Sequence, residues 1–247
     1  MREAVRQAQA TEEASERARD RSVHMLAVVA HELRGPLGPM RNAAAVLGCE
    51  RPVDAHRARL IIERQIAVMS RMIDDLLDLS RANSGKLGLV REQVRLDEII
   101  DRAVEACAAA LGRRRQRLLV SGSASGYELN ADPLRLLQIL GNLLENASKY
   151  SPVCNAIYLD IHVLESCVTL IVRDHGIGIP KEALGRIFEP FTQESRAAAF
   201  DRSGLGVGLA VVRELVEAHG GTIVVNSEGI GHGACFVVNL PRCGNEP

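Results

Sequence analysis

Between Asp54 and about Ala82, apolar side chains return in steps of four and three: Ile62, Ile66, Met69, Ile73 and Leu76. No other pattern limits the fold of this chain as tightly. Such steps set the five residues along one seam of an α-helix. At 1.5 Å per residue that helix is roughly 40 Å long. Asp54 is placed to cap its N-terminus. The stretch from Val23 to about Leu47 repeats the pattern with Leu26, Val29, Leu33, Leu37 and Met40, and Gly48 to Val53, holding Arg51-Pro52, separates the two. Two long helices joined this way make a hairpin too thin to enclose an interior. Two copies forming a four-helix bundle bury the seam most economically; packing against the rest of the same chain is the alternative.

The character changes after Asn83-Ser84-Gly85-Lys86. A helix is expected over Leu96–Leu111 and a short strand over Arg117–Val120. Asp132-Pro133 is an N-cap followed by proline at the first helical position, opening a helix to about Tyr150. Apolar runs at Ile157–Val163 and Val168–Val172 read as strands. A further helix is expected from Leu205 to Ala218, stopped by His219-Gly220-Gly221. Thr222–Asn226 and Ala234–Leu240, joined by a glycine-rich turn, close the domain as a hairpin. Strands and helices that alternate without tight βαβ units predict an α+β domain, one sheet with helices over one face. The expected organisation is therefore three segments: a connecting helix over 1–22, a helical domain over 23–83 and an α+β domain over 84–247.

Composition narrows the function classes. A formal net charge of -1 on 247 residues gives no electrostatic case for nucleic acid or an anionic membrane. The longest apolar runs, such as Met25–Ala30, are far too short to insert into a bilayer, and the charged N-terminus has no apolar secretory core. The six cysteines have no paired metal-ligand spacing, so reduced and mostly buried thiols are expected, in the cytoplasm.

Chemistry concentrates in three places. On the helix opened by Pro133, Asn142, Asn146 and Lys149 stand at i, i+4 and i+7 on one face, while Leu136, Ile139, Leu140, Leu143 and Ala147 cover the other. Amide oxygens suit Mg²⁺, a hard cation that keeps waters beside phosphates, and Lys149 adds a point charge. Next, Asp174-His175-Gly176-Ile177-Gly178 follows a strand. Its glycines let backbone approach a ligand closely, and Asp174 can accept a hydrogen bond from an amino group such as that of adenine. Finally, Gly204-Leu205-Gly206-Val207-Gly208-Leu209 opens a helix whose N-terminal N–H groups favour phosphate. It is neither a Rossmann fingerprint nor a P-loop, since no Gly-Lys-Ser/Thr follows.

These residues resemble the transmitter core of bacterial two-component sensor histidine kinases. Asn142-Leu143-Leu144-Glu145-Asn146-Ala147-Ser148-Lys149-Tyr150 is similar to that family's N-box. Asp174–Gly178 is similar to its G1 box, Phe188-Glu189-Pro190-Phe191 to its F-box and Gly204–Leu209 to its G2 box. His31-Glu32-Leu33-Arg34-Gly35-Pro36-Leu37 matches its H-box, and the five stand in the family's order. The resemblance implies a dimerisation and phosphoacceptor hairpin followed by a Bergerat-type ATP-binding domain, an α/β sandwich of one mixed sheet with helices on one face. It implies that Asn146 holds Mg²⁺, that Asp174 reads adenine, and that residues from about Thr192 to Ser203 form an ATP lid. The implied ATP site also takes in Asn142, Lys149, Tyr150, Gly176, Gly178, Phe191, Gly204, Leu205, Gly206 and Gly208. Partners implied are a second copy, a response regulator receiver domain and an upstream sensor domain. An ATP-gated pseudokinase, or a related Bergerat ATPase or serine kinase, is the alternative.

His31 is the residue expected to accept the phosphoryl group. A neutral imidazole has a ring nitrogen free to attack phosphorus. Its other nitrogen must then lose a proton, and by resemblance Glu32 holds or accepts it. Adjacent helical residues point about 100° apart, so Glu32 must use its length or a local bend. Pro36 and Pro39 remove the backbone hydrogen bonds to Glu32 and Gly35, which makes a weak point after His31. His24, His56, His162, His219 and His232 are expected to be structural. Many relatives carry Thr or Asn where this chain has Gly35, a position that helps place water for dephosphorylating the partner. Weak phosphatase activity is the consequence.

Overall fold

A computed structural model describes residues 27–47, 52–83, 87–192 and 205–242. The expected connecting helix over 1–22, most of the expected lid and Gly204 lie outside the described residues. The described chain divides into two compact units, one running to Asp74 and also taking in Leu205, the other starting at Asp75 and resuming at Gly206.

The first unit is a helical hairpin. Helix α1 spans 27–46 and is continuous across Pro36 and Pro39. Helix α2 runs Pro52–Asn83, so the expected N-cap at Asp54 is corrected: Asp54 lies inside the first turn. Proline suits that opening because a helix's first N–H has no internal acceptor anyway, and the Asp54 carboxylate still faces the positive end of the helix dipole. Along α2 the buried apolar positions are Ala58, Met72 and Leu79, whereas Ile66 is 50% and Ile73 47% exposed. Of the five seam residues, Ile66 and Ile73 are exposed and Ile62, Met69 and Leu76 are half-buried.

The second unit is a mixed five-stranded sheet in the order β2-β4-β5-β7-β6. Its strands are β2 (Arg117–Ser121), β4 (Ala156–Val163), β5 (Cys167–Arg173), β6 (Thr222–Asn226) and β7 (Cys235–Pro241). The β2–β4 pair is parallel and the others are antiparallel. Alternation divides the faces: Ile157, Leu159, Val168, Leu170, Val172 and Val238 are buried beneath helices α3 (Leu96–Arg113), α4 (Pro133–Tyr150) and α6 (Gly208–Ala218). Two four-residue strands, β1 (Glu92–Arg95) and β3 (Glu128–Ala131), pair antiparallel as a separate ribbon. A short α5 (Lys181–Leu184) follows β5.

Helix α4 is held at its start from several directions. Asp132 Oδ1 accepts the N–H groups of Leu134 and Arg135, and Oδ2 accepts that of Val90. His219 closes α6 and ties it to the same residue: its Nδ1–H donates to the Leu215 carbonyl at 2.7 Å, and Nε2 accepts the Asp132 N–H at 3.1 Å. These partners require the neutral ring, and burial lowers the His219 pKa. The structural role expected for His219 is what the structure shows. The last turns of α2 belong with this unit, where buried Asp78 meets Arg135 at 2.6 Å and Gln138 at 2.9 Å.

Helix α6 begins at Gly208, three residues later than expected, because Gly206 takes a positive φ of 68° that no helix accommodates. The cysteines also depart from expectation. Cys154 is exposed and Cys107, Cys167 and Cys235 are half-buried, with no disulfide among the described residues. All four sit in turns, on outward strand positions or on a helix rim, where the apolar core does not reach.

Candidate functional site

The candidate site residues of the second unit converge around the C-terminal half of α4. Leu136, Ile139, Leu140, Leu143, Leu144 and Ala147 are buried, which turns Asn142, Asn146 and Lys149 to the partly open face, all three half-exposed. Asn142 Nδ2 lies 3.4 Å from the Gly208 carbonyl, linking this face to the start of α6. The Asn146 side chain has no hydrogen-bond partner among the described residues, so its amide oxygen is available to a cation. Lys149 Nζ stands 5.1 Å from the Tyr150 ring centroid.

The loop after β5 closes on the same helix end. The Ile177 N–H donates to the Tyr150 carbonyl at 3.1 Å. A Cβ on Gly176 would run into that carbonyl oxygen and into Asp174 Oδ1, so only glycine allows this approach. Asp174 is buried, its N–H donates to the Ala234 carbonyl, and its Oδ1 accepts the Gly176 N–H at 2.7 Å. Oδ2 remains for an outside donor. Desolvation raises the Asp174 pKa, partly offset by the Gly176 and Ala234 backbone groups.

From its sequence the β6–β7 turn is expected only to connect a hairpin. In the structure it braces the Asp174 loop. The Gly231 N–H donates to the Ile177 carbonyl at 2.7 Å and the Gly233 N–H to the Gly176 carbonyl at 3.2 Å. Ser227 Oγ accepts the Ile179 N–H and donates to the Gly233 carbonyl. A Cβ on Gly178, whose φ is 71°, would strike the Gly229 carbonyl. The run of turn glycines was the signal that could have marked these supports.

The third element contributes backbone. Helix α6 opens without a side-chain cap, leaving first-turn N–H groups for an anion. Phe191, itself at a φ of 63°, donates its N–H to the Gly206 carbonyl at 3.0 Å. Phe188 is buried edge-on against Phe236, and Leu205 is buried. A buried acceptor beside a glycine cradle, amide oxygens and an uncapped helix start fit a nucleoside triphosphate with its divalent cation.

In the hairpin, His31 is exposed on α1 and Glu32 is half-buried beside it. Gly35 has open space where a Cβ would stand.

Residues 22–85 match the His Kinase A (phospho-acceptor) domain, and residues 131–243 match the histidine kinase-, DNA gyrase B- and HSP90-like ATPase family. This chain is a transmitter core of the two-component sensor histidine kinases. The sensor protein KdpD of Escherichia coli K12 is 32% identical over 241 residues, covering 93% of this chain and 25% of KdpD. The chain thus spans about a quarter of that relative's length. The fold matches the Acinetobacter baumannii histidine kinase AdeS with a TM-score of 0.62 at 25% identity, over 86% of this chain and 98% of AdeS. It also matches the histidine kinase ThkA in its complex with the response regulator protein TrrA, with a TM-score of 0.65 at 22% identity over 96% of this chain and 67% of that one.

Proposed function

We propose that this transmitter core transfers the γ-phosphoryl group of ATP to His31 and passes it to an aspartate of a response regulator receiver domain. The observation that carries the reading is the Asp174–Gly176–Tyr150 cradle, in the same chain as an exposed histidine followed by a carboxylate. A ring nitrogen of His31 forms the new bond to phosphorus as the bond to the β–γ bridging oxygen breaks, and ADP leaves. Glu32 holds the proton on the other ring nitrogen and receives it as charge develops. Asp174 orients adenine through Oδ2, the first turn of α6 and Lys149 bind phosphate oxygens, and Gly176 lets the Asp174 loop close on the end of α4. Asn146 would hold Mg²⁺, which when bound offsets phosphate charge.

The exposed Ile66 and Ile73 on the α2 seam support a homodimer, and the regulator in the ThkA complex supports the receiver as partner. Among the described residues no helix is long and apolar enough to cross a membrane; the core is assigned to the cytoplasm, downstream of a sensor. The connection between the helical and catalytic domains follows the end of α2, near residue 83. The test is to load the chain with labelled phosphate, remove ATP and add a receiver domain. Label moving to the receiver's aspartate is expected; label that never leaves the chain for any receiver would contradict onward transfer.

A further inference from the structure

We infer that Gln116, with Arg114, is a positioning residue for nucleotide binding. The inference rests on the reading of the α4 end and the Asp174 loop as the nucleotide site.

A helix C-terminus leaves its last carbonyls without internal partners. At the end of α4, consecutive carbonyls are taken from outside the helix in a row. Gln116 Nε2 donates to the Ser148 carbonyl at 3.0 Å, Arg114 Nη2 to that of Lys149 at 3.3 Å, and the Ile177 N–H to that of Tyr150. Beyond the helix, Arg114 reaches the Ser151 carbonyl and Gln116 that of Pro152, each at 3.0 Å. Ser148 Oγ donates back to Gln116 Oε1 at 2.6 Å, which fixes the carboxamide's orientation.

The two side chains arrive by way of a sharp turn. Arg115 adopts a φ of 52° after α3, its N–H donates to the Gly112 carbonyl, and the Gln116 N–H donates to that of Leu111. This is a Schellman stop with arginine in the usual glycine position. It drives Gln116 inward until it is 6% exposed. The Arg114 carbonyl then accepts the Cys154 N–H, lacing this turn to the segment after α4.

The geometry separates positioning from capping alone. Gln116, Arg114 and the Asp174 loop grip adjacent residues of one helical turn, the turn that carries Lys149 and Tyr150 and follows Asn146. A turn so held is ordered before a ligand arrives, and that ordering cost is absent from binding. Without the carboxamide donor, Ser148 and Pro152 lose their partner and the turn loosens under the Asp174 loop.

Gln116→Met keeps the side chain's length and removes its donor. Calorimetric titration of the full chain with ADP, at a temperature where the variant is folded, should show affinity about tenfold weaker. The KM for ATP should rise in step while kcat holds. Unchanged affinity with only a lowered melting temperature would overturn the inference and leave Gln116 a cap. Asp174→Asn is run alongside: normal affinity in that variant would sink the nucleotide reading itself, whereas its loss beside a normal Gln116→Met removes the positioning role alone. Should Gln116→Met not fold, Ser148→Ala frees the carboxamide and takes its place, with weaker binding expected and unchanged binding overturning.

Discussion

The Tyr150 carbonyl accepts the Ile177 N–H at 3.1 Å, so the last residue of α4 and the loop after β5 form one surface. Gly176 makes that contact possible, since any Cβ there meets the Tyr150 backbone. Gly176→Ala must push the loop off the helix. Nucleotide affinity should fall by more than tenfold, because displacement of about 1 Å at a binding constellation can cost on the order of a hundredfold. Titration with ADP measures it, and near-normal affinity would mean the loop does not contact the base.

Asp174→Asn tests the adenine acceptor. Asparagine can still accept the Gly176 N–H, but it presents an N–H₂ where Oδ2 stood, so ATP binding should be lost while the fold is kept. Because burial raises the Asp174 pKa in the folded state, its ionisation opposes folding. Its contribution to stability should increase as pH falls through the raised folded pKa towards the unfolded value near 3.9. Denaturant melts of both proteins at neutral pH should find the variant as stable as the parent or more so.

His219 predicts the opposite trend near neutrality. Its folded pKa is lowered by burial, so below about 6.5 the unfolded chain binds a proton that the folded chain refuses. Stability should fall as pH drops through that value, by at most about 1.4 kcal/mol per pH unit for one group. Arg91 and Asp132 act on the ring in opposite senses and leave burial dominant. His219→Gln, which keeps an acceptor for the Asp132 N–H, should flatten the profile between pH 7.5 and 5.5 in urea melts. An unchanged slope would assign the titration elsewhere.

Gly35 carries a prediction about the hairpin. A side chain there meets open space, and glycine inside a helix costs about 0.5–1 kcal/mol relative to alanine. Gly35→Ala should therefore stabilise the hairpin by that amount in thermal melts. Gly35→Thr adds a hydroxyl four residues after His31 and should raise dephosphorylation of a phosphorylated receiver. Equal rates from both proteins would remove Gly35 as the reason for weak phosphatase activity.

How much could be read from the chain depended on where each signal resides. Helix α4 runs from Pro133 to Tyr150 as expected, because its cap, its proline and its apolar face are local. Strands β1 and β3 were missed because four residues hold only one or two inward positions, Val94 in one and Leu129 with Ala131 in the other. The start of α6 was misplaced because a periodic apolar face runs on through Leu205 and Gly206, and only the backbone angle at Gly206 ends it. The candidate site divides the same way. Asn142, Asn146, Asp174 and the glycines announce themselves by type and spacing. Gln116 and the Ser227–Gly233 turn act through contacts with segments about 30 to 60 residues away, which no window of sequence displays.

The central claim is phosphoryl transfer to His31. The purified chain and His31→Ala are incubated with Mg²⁺ and γ-labelled ATP, and the label is tested for stability in acid and base. Label that is lost in acid, survives base and is absent from the variant is what this account predicts. Bound ATP with no such label, or equal label on His31→Ala, would contradict it.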